Sequence, residues 1–174
     1  MTETPRAFPA DAIHLVRTSQ QMGLSLSQMA DQKASILMGA TFVVFTIAVN
    51  QAARAPVSPA LVILALSAFV SAMLAVFAIM PSVGGAKEGG VPNILFFGHY
   101  SSLSEEAFID EVVDRLQDPE TVYRTMLRDI YQNGQVLQHK KYKYLGAAYR
   151  AFLIGLVLTL AAAVVQWVGL LPHP

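Results

Sequence analysis

Cysteine is absent from this 174-residue chain, and with it go disulfide frameworks, thiolate nucleophiles and sulfur-based zinc sites. Charge is scarce as well. Asp, Glu, Lys and Arg make up 14% of the residues, where a soluble domain carries about 25%. Twelve acidic and twelve basic side chains cancel, so no bulk pull toward nucleic acid is expected. The four histidines, His14, His99, His139 and His173, have no carboxylates at ligand spacing. The glycine-rich stretch VGGAKEGGVP (83–92) fits neither GxxxxGK[ST] nor GxGxxG. No Ser/His/Asp arrangement or paired-acid motif stands out. The expectation is a protein that is not an enzyme, with no metal and no cofactor.

Hydrophobic residues, at 54%, are what the chain has in plenty. They gather in three runs, residues 34–53, 59–80 and 148–171. Each reaches the roughly 20 apolar residues that a helix needs to cross a bilayer. Arg150 is the one charge inside them, near enough to an end to snorkel. Pro56 and Pro59 mark a turn between the first two runs, Pro59 suits a helix start, and Pro81 and Pro172 close the second and third. A signal peptide would place its apolar core nearer the N-terminus than residue 34. The reading is an all-α integral membrane protein with three transmembrane helices and a small helical module.

Lys and Arg give that arrangement a direction. Arg6, Arg17 and Lys33 precede the first span. Lys87, Arg115, Arg124, Arg128, Lys140, Lys141 and Lys143 lie between the second and third. Arg54 alone occupies the short loop, and the C-terminal tail has none. Residues 1–33 and 82–147 are therefore expected in the cytoplasm and the C-terminus outside. Tyr142, Tyr144, Tyr149 and Trp167 fit aromatic belts at the two ends of the third span.

Residues 9–33 read as a helix running into the first span. Ser102 and Glu105 form a capping-box pattern that predicts a helix over 103–117, with Phe108, Val112 and Leu116 on one face. Asp118-Pro119 predicts the start of another over 119–147, with Val122, Met126 and Ile130 as its stripe. No stop precedes the third span, so one helix of about 50 residues, roughly 75 Å long, is expected there. Asn133-Gly134 is the place where it would bend. Glu105, Glu106, Asp110, Glu111 and Asp114 read as a solvated face, with Arg115 supporting Glu111. A module of about 65 residues is marginal alone; it leans on the long helices, on a second protomer, or on both.

Polar and small residues recur along the spans: Gln28, Gln32, Ser35, Gly39, Thr46 and Asn50 on the first, Ser67 and Ser71 on the second. Ala151, Gly155, Thr159, Ala162 and Gln166 follow on the third. Such seams let membrane helices approach and hydrogen-bond. They serve either packing within the chain or, across copies, oligomer contacts and a pore lining. Asp31 and Lys33 form a polar pair where the first span begins, costly unless paired or wet. The run His139-Lys140-Lys141-Tyr142-Lys143 suits anionic lipid headgroups or the phosphate of a nucleotide.

Three stretches together carry a resemblance. ADQKASILMGA (30–40), NILFFGHYSSLSEEAFIDEV (93–112) and LQHKKYKYLGAAYRAFLIGL (137–156) resemble, in order and spacing, the transmembrane effectors of Pycsar, the pyrimidine cyclase system for antiphage resistance. The resemblance implies an antiviral effector of the bacterial inner membrane, a homo-oligomer functionally linked to a cognate cyclase. Cyclic UMP or cyclic CMP would activate it to impair the membrane, with cell death or growth arrest following. The family pattern carries over to Asp31, Lys33, Asn93, Phe97, Lys140 and Lys141. Arg124, Arg128, Lys140 and Lys141, with Asn93 and Phe97, are the ligand-binding candidates, although no separate cyclic-nucleotide-binding domain is recognisable. The alternative is a non-gated membrane scaffold recruiting a cytoplasmic partner through residues 93–143.

Overall fold

The computed structural model describes residues 8–54, 56–81 and 92–169. Arg6, Lys87, Pro172, His173 and all of the 83–92 stretch except Pro92 lie outside these. The described elements are α1 (Ala12–Arg54), α2 (Pro59–Ile79), α3 (Phe97–Tyr100), α4 (Glu105–Leu116), α5 (Pro119–Val136), a π-helical turn (Leu137–Tyr142) and α6 (Lys143–Trp167). No strand occurs among the described residues. Three helical stretches are long and apolar enough to cross a membrane, as expected: α1, α2 and the continuous helix Pro119–Trp167. The chain is an all-α integral membrane protein.

Two compact units emerge, one of residues 1–26 and 81–137, the other of residues 27–80 and 138–174. In the first, α4 packs on α5. Ser104 caps α4 by accepting from Ala107 N at 3.3 Å, so that helix begins two residues later than the sequence pattern suggests. Ser102, the expected cap, instead donates its hydroxyl to the His99 carbonyl at 2.6 Å. Asp118 caps α5 as expected, accepting from Thr121 N at 2.9 Å, with Pro119 where its missing N–H costs nothing. Tyr100 stacks on Phe108 and Phe8 on Tyr123, with ring centroids 5.2 Å and 4.7 Å apart.

The second unit packs through small side chains. Ser58 caps α2 and Pro59 opens it. Ala68, Ser71 and Ala75 of α2 are fully buried, as are Ala148 of α6 and Ala34 of α1. Leu37, Ala75 and Ala148 form the apolar centre, flanked by Met38, Leu74, Tyr149 and Phe152. Lipid gives no hydrophobic reason for helices to meet, so close backbone approach and dispersion must supply it. Gly155 makes that approach possible: a methyl group there would overlap Cβ and Oγ of Ser67. The Ser71 hydroxyl donates across to the Ala148 carbonyl at 2.8 Å.

The irregularity in the long second helix falls later than Asn133-Gly134, both of which are helical. It is the π turn, residues Leu137–Tyr142. A π turn holds an extra residue and is frequent at functional sites.

Candidate functional site

Ser27 and Asp31 stand four residues apart on α1, which places them on one face. The π turn presents Lys141 to that face. Its ammonium lies 2.7 Å from each Asp31 carboxylate oxygen and 2.8 Å from the Ser27 hydroxyl oxygen. An ammonium has three protons to donate, and three oxygens receive them. The Lys141 side chain is 20% exposed and that of Asp31 45%, so the pair is desolvated on one side and open on the other. An unpaired charge at the start of an apolar span is costly; mutual neutralisation removes most of that cost.

Lys33 does not share in this. It is exposed, and its contribution is a carbonyl that accepts a long hydrogen bond, 3.4 Å, from the Tyr149 hydroxyl. Asp31 takes its partner from Lys141 and not from Lys33, because neighbours two apart on a helix point to different faces. Lys140, one residue before Lys141, is half-buried and also engaged.

The remaining candidates fall in the first unit. Asn93 is only 4% exposed. Its amide donates to Asp129 Oδ1 at 2.8 Å, and its own oxygen accepts from Leu95 N at 3.0 Å. Asp129 Oδ1 also takes a bond from Asn133 Nδ2 at 2.9 Å. Both ends of the Asn93 side chain are spent on holding the turn before α3. Phe97 is half-exposed and stacks on Phe96, ring centroids 5.0 Å apart. Arg124 is paired with Glu120, Nε to Oε1 at 2.7 Å. Arg128 is half-buried and has no ion-pair partner among the described residues.

The seams divide. On α2 and α6, Ser67, Ser71 and Gly155 pack within the chain, while Thr159 turns its hydroxyl back to the Gly155 carbonyl at 2.7 Å. Gln166 is partly buried, its side-chain nitrogen without a hydrogen-bond partner among the described residues. The first span behaves otherwise. Ser35, Gly39, Thr46 and Asn50 are all exposed, and the buried positions are Ala30, Ala34, Leu37, Thr41 and Ala48. Packing within the chain therefore does not account for the α1 seam. Ser35 and Thr46 donate to the carbonyls of Asp31 and Phe42, each at 2.9 Å, the usual way a hydroxyl is satisfied inside a helix.

Ser27 and Asp129 were not singled out by the sequence pattern. Ser27 has a readable signal in its four-residue spacing from Asp31. Asp129 has a comparable one in its spacing from Asn133.

A family model described as the Pycsar effector protein domain matches residues 14–168. No curated protein and no solved structure gave a match.

Proposed function

The chain belongs to the Pycsar effector family, and from that premise we propose that its role in antiphage defence is exercised as a nucleotide-gated, non-catalytic disruption of the bacterial inner membrane. The N-terminus and residues 82–147 face the cytoplasm and the C-terminus the periplasm, following the Lys and Arg distribution. Cyclic UMP or cyclic CMP, made by a cognate cyclase, is the activating ligand. The observation that carries this reading is the half-open Lys141–Asp31 pair on the π turn. A cyclic nucleotide bears one phosphate negative charge, which competes with the Asp31 carboxylate for the Lys141 ammonium. The π turn, relieved of that tether, then changes the way α6 leaves it.

Magnitudes favour a homo-oligomer. Moving a two-state balance from 1:99 to 99:1 takes about 5.5 kcal/mol. A half-exposed ion pair is worth about 1 kcal/mol. One exchange in one protomer falls short, whereas several copies switching together reach it, provided that the ligand prefers one packing.

Purified protein in liposomes is expected to release dye only with cyclic UMP or cyclic CMP. Lys141→Ala, which removes the tether and the anion's partner together, is expected to lose its dependence on nucleotide, and Asp31→Asn to leak at lower nucleotide concentration. Absence of leakage together with absence of binding in calorimetry sinks the reading. The scaffold alternative draws support from Leu116, Leu127 and Tyr131, which are exposed apolar side chains on α4 and α5. It predicts sealed liposomes and a bound cytoplasmic protein.

A further inference from the structure

The long helix α1 carries a repeat that nothing else in the chain uses. Leu15, Met22, Met29, Ile36, Val43 and Asn50 follow one another at intervals of seven. The five apolar ones are exposed, from 41% at Met29 to 72% at Leu15. Three residues after each come small or polar side chains, among them Ser25, Gln32, Gly39 and Thr46, all exposed too. These two series are the a and d positions of a heptad, large apolar at a and small or polar at d. The residues of α1 that are buried, such as Val16, Ala30, Leu37 and Ala48, fall on the far side of the helix. Large apolar residues at a and small or polar ones at d, held over five repeats, give α1 a continuous face of the kind that packs against another helix.

We propose that a second copy of this chain occupies that seam, α1 lying parallel and in register with α1. The proposal takes up the homo-oligomer of the proposed function and gives it a face, without drawing on the nucleotide. Three arguments select this occupant. From Leu15 to Asn50 the seam rises about 52 Å at 1.5 Å per residue, against a hydrocarbon core of about 30 Å. Lipid covers one part of such a seam and leaves the other in water, whereas a helix of comparable length covers all of it, and α1 of a second copy matches it residue for residue. Copies in one membrane share one orientation, so identical residues meet at identical depth and the seam is complementary to itself. At Gly39 a methyl group would meet nothing within 4 Å inside the protomer, so the small d positions leave room for the close approach that membrane helices use. Asn50, whose amide has no hydrogen-bond partner among the described residues, sits at an a position. There an asparagine pairs with its own copy and fixes register. A seven-residue repeat drifts by about 20° per heptad on a straight helix, so the seam closes with a left-handed wrap.

The native chain has no cysteine, so single introduced cysteines report without background. Full-length Ser25→Cys and Thr46→Cys proteins in membranes are expected to give covalent dimers under mild oxidation. Leu24→Cys on α1 and Leu66→Cys on α2, both exposed but off the seam, are expected to stay monomeric. Linking that is equal at seam and control positions overturns the proposal. So does an oligomeric mass in detergent with unlinked seam cysteines, which leaves the homo-oligomer standing on another face or the seam to a different protein. A monomeric mass with unlinked seam cysteines removes both the seam and the homo-oligomer.

Discussion

Gly155 and Gly39 are both glycines in apolar helices, yet the space around them differs. At Gly155 any Cβ collides with Ser67, so the Ser67 side chain of α2 rests directly on the backbone of α6. Gly155→Ala forces them apart, at a cost of about 1–3 kcal/mol, and is expected to lower the unfolding temperature in detergent. Gly39→Ala meets open space within the protomer, and Ala favours a helix over Gly by about 1 kcal/mol. In monomeric protein the same measurement is expected to hold steady or rise, whereas between two α1 helices the added methyl takes up the room for close approach. Sequence alone marked both glycines as seam residues and had no means of separating them, because the distinction is one of neighbours. The Asp31–Lys141 pair was hidden for a related reason. Its members are 110 residues apart in the chain, while Lys33 stood two residues from Asp31 as the more visible candidate.

Helix starts were more legible. Asp118-Pro119 announces α5 through local chemistry alone, and the structure shows the cap made as that chemistry requires. The side-chain hydrogen bond from Thr121, then the Thr121 backbone N–H, holds the Asp118 carboxyl below its usual value of 3.8. A depressed carboxyl contributes stability that is present above its usual value and lost as pH falls through its lower folded value. Asn also caps helices but does not titrate. The acid-induced loss of helicity in wild type is therefore expected to include a component, at or below pH 3.8, that Asp118→Asn lacks, read by circular dichroism. The start of α4 was less legible, because Ser102 and Ser104 both precede an acidic turn. His99 settles the choice by taking the Ser102 hydroxyl. The π turn left no mark in the sequence at all; Leu137–Tyr142 reads as ordinary helix former and basic residue, and the extra residue shows only in the backbone.

The three spans follow from length and charge, which is why the architecture was readable from the chain alone. The face of each span was not, since the seam on α1 suits packing within the chain and packing between copies alike, and only burial separates the face packed within the chain from the open one. The two units also differ in what holds them. In the first, α4 packs on α5 with apolar side chains that are half-buried, Phe108 and Val112 on one helix and Val122, Met126 and Ile130 on the other. In the second, α2 meets α6 through Ala, Ser and Gly, small side chains against backbone. Removal of apolar surface from water carries a large heat-capacity change and weakens on cooling, whereas helix contact inside lipid draws on no such term. Temperature is therefore expected to act on this chain unevenly, cooling weakening the contact of α4 with α5 more than the Ser67–Gly155 contact between α2 and α6.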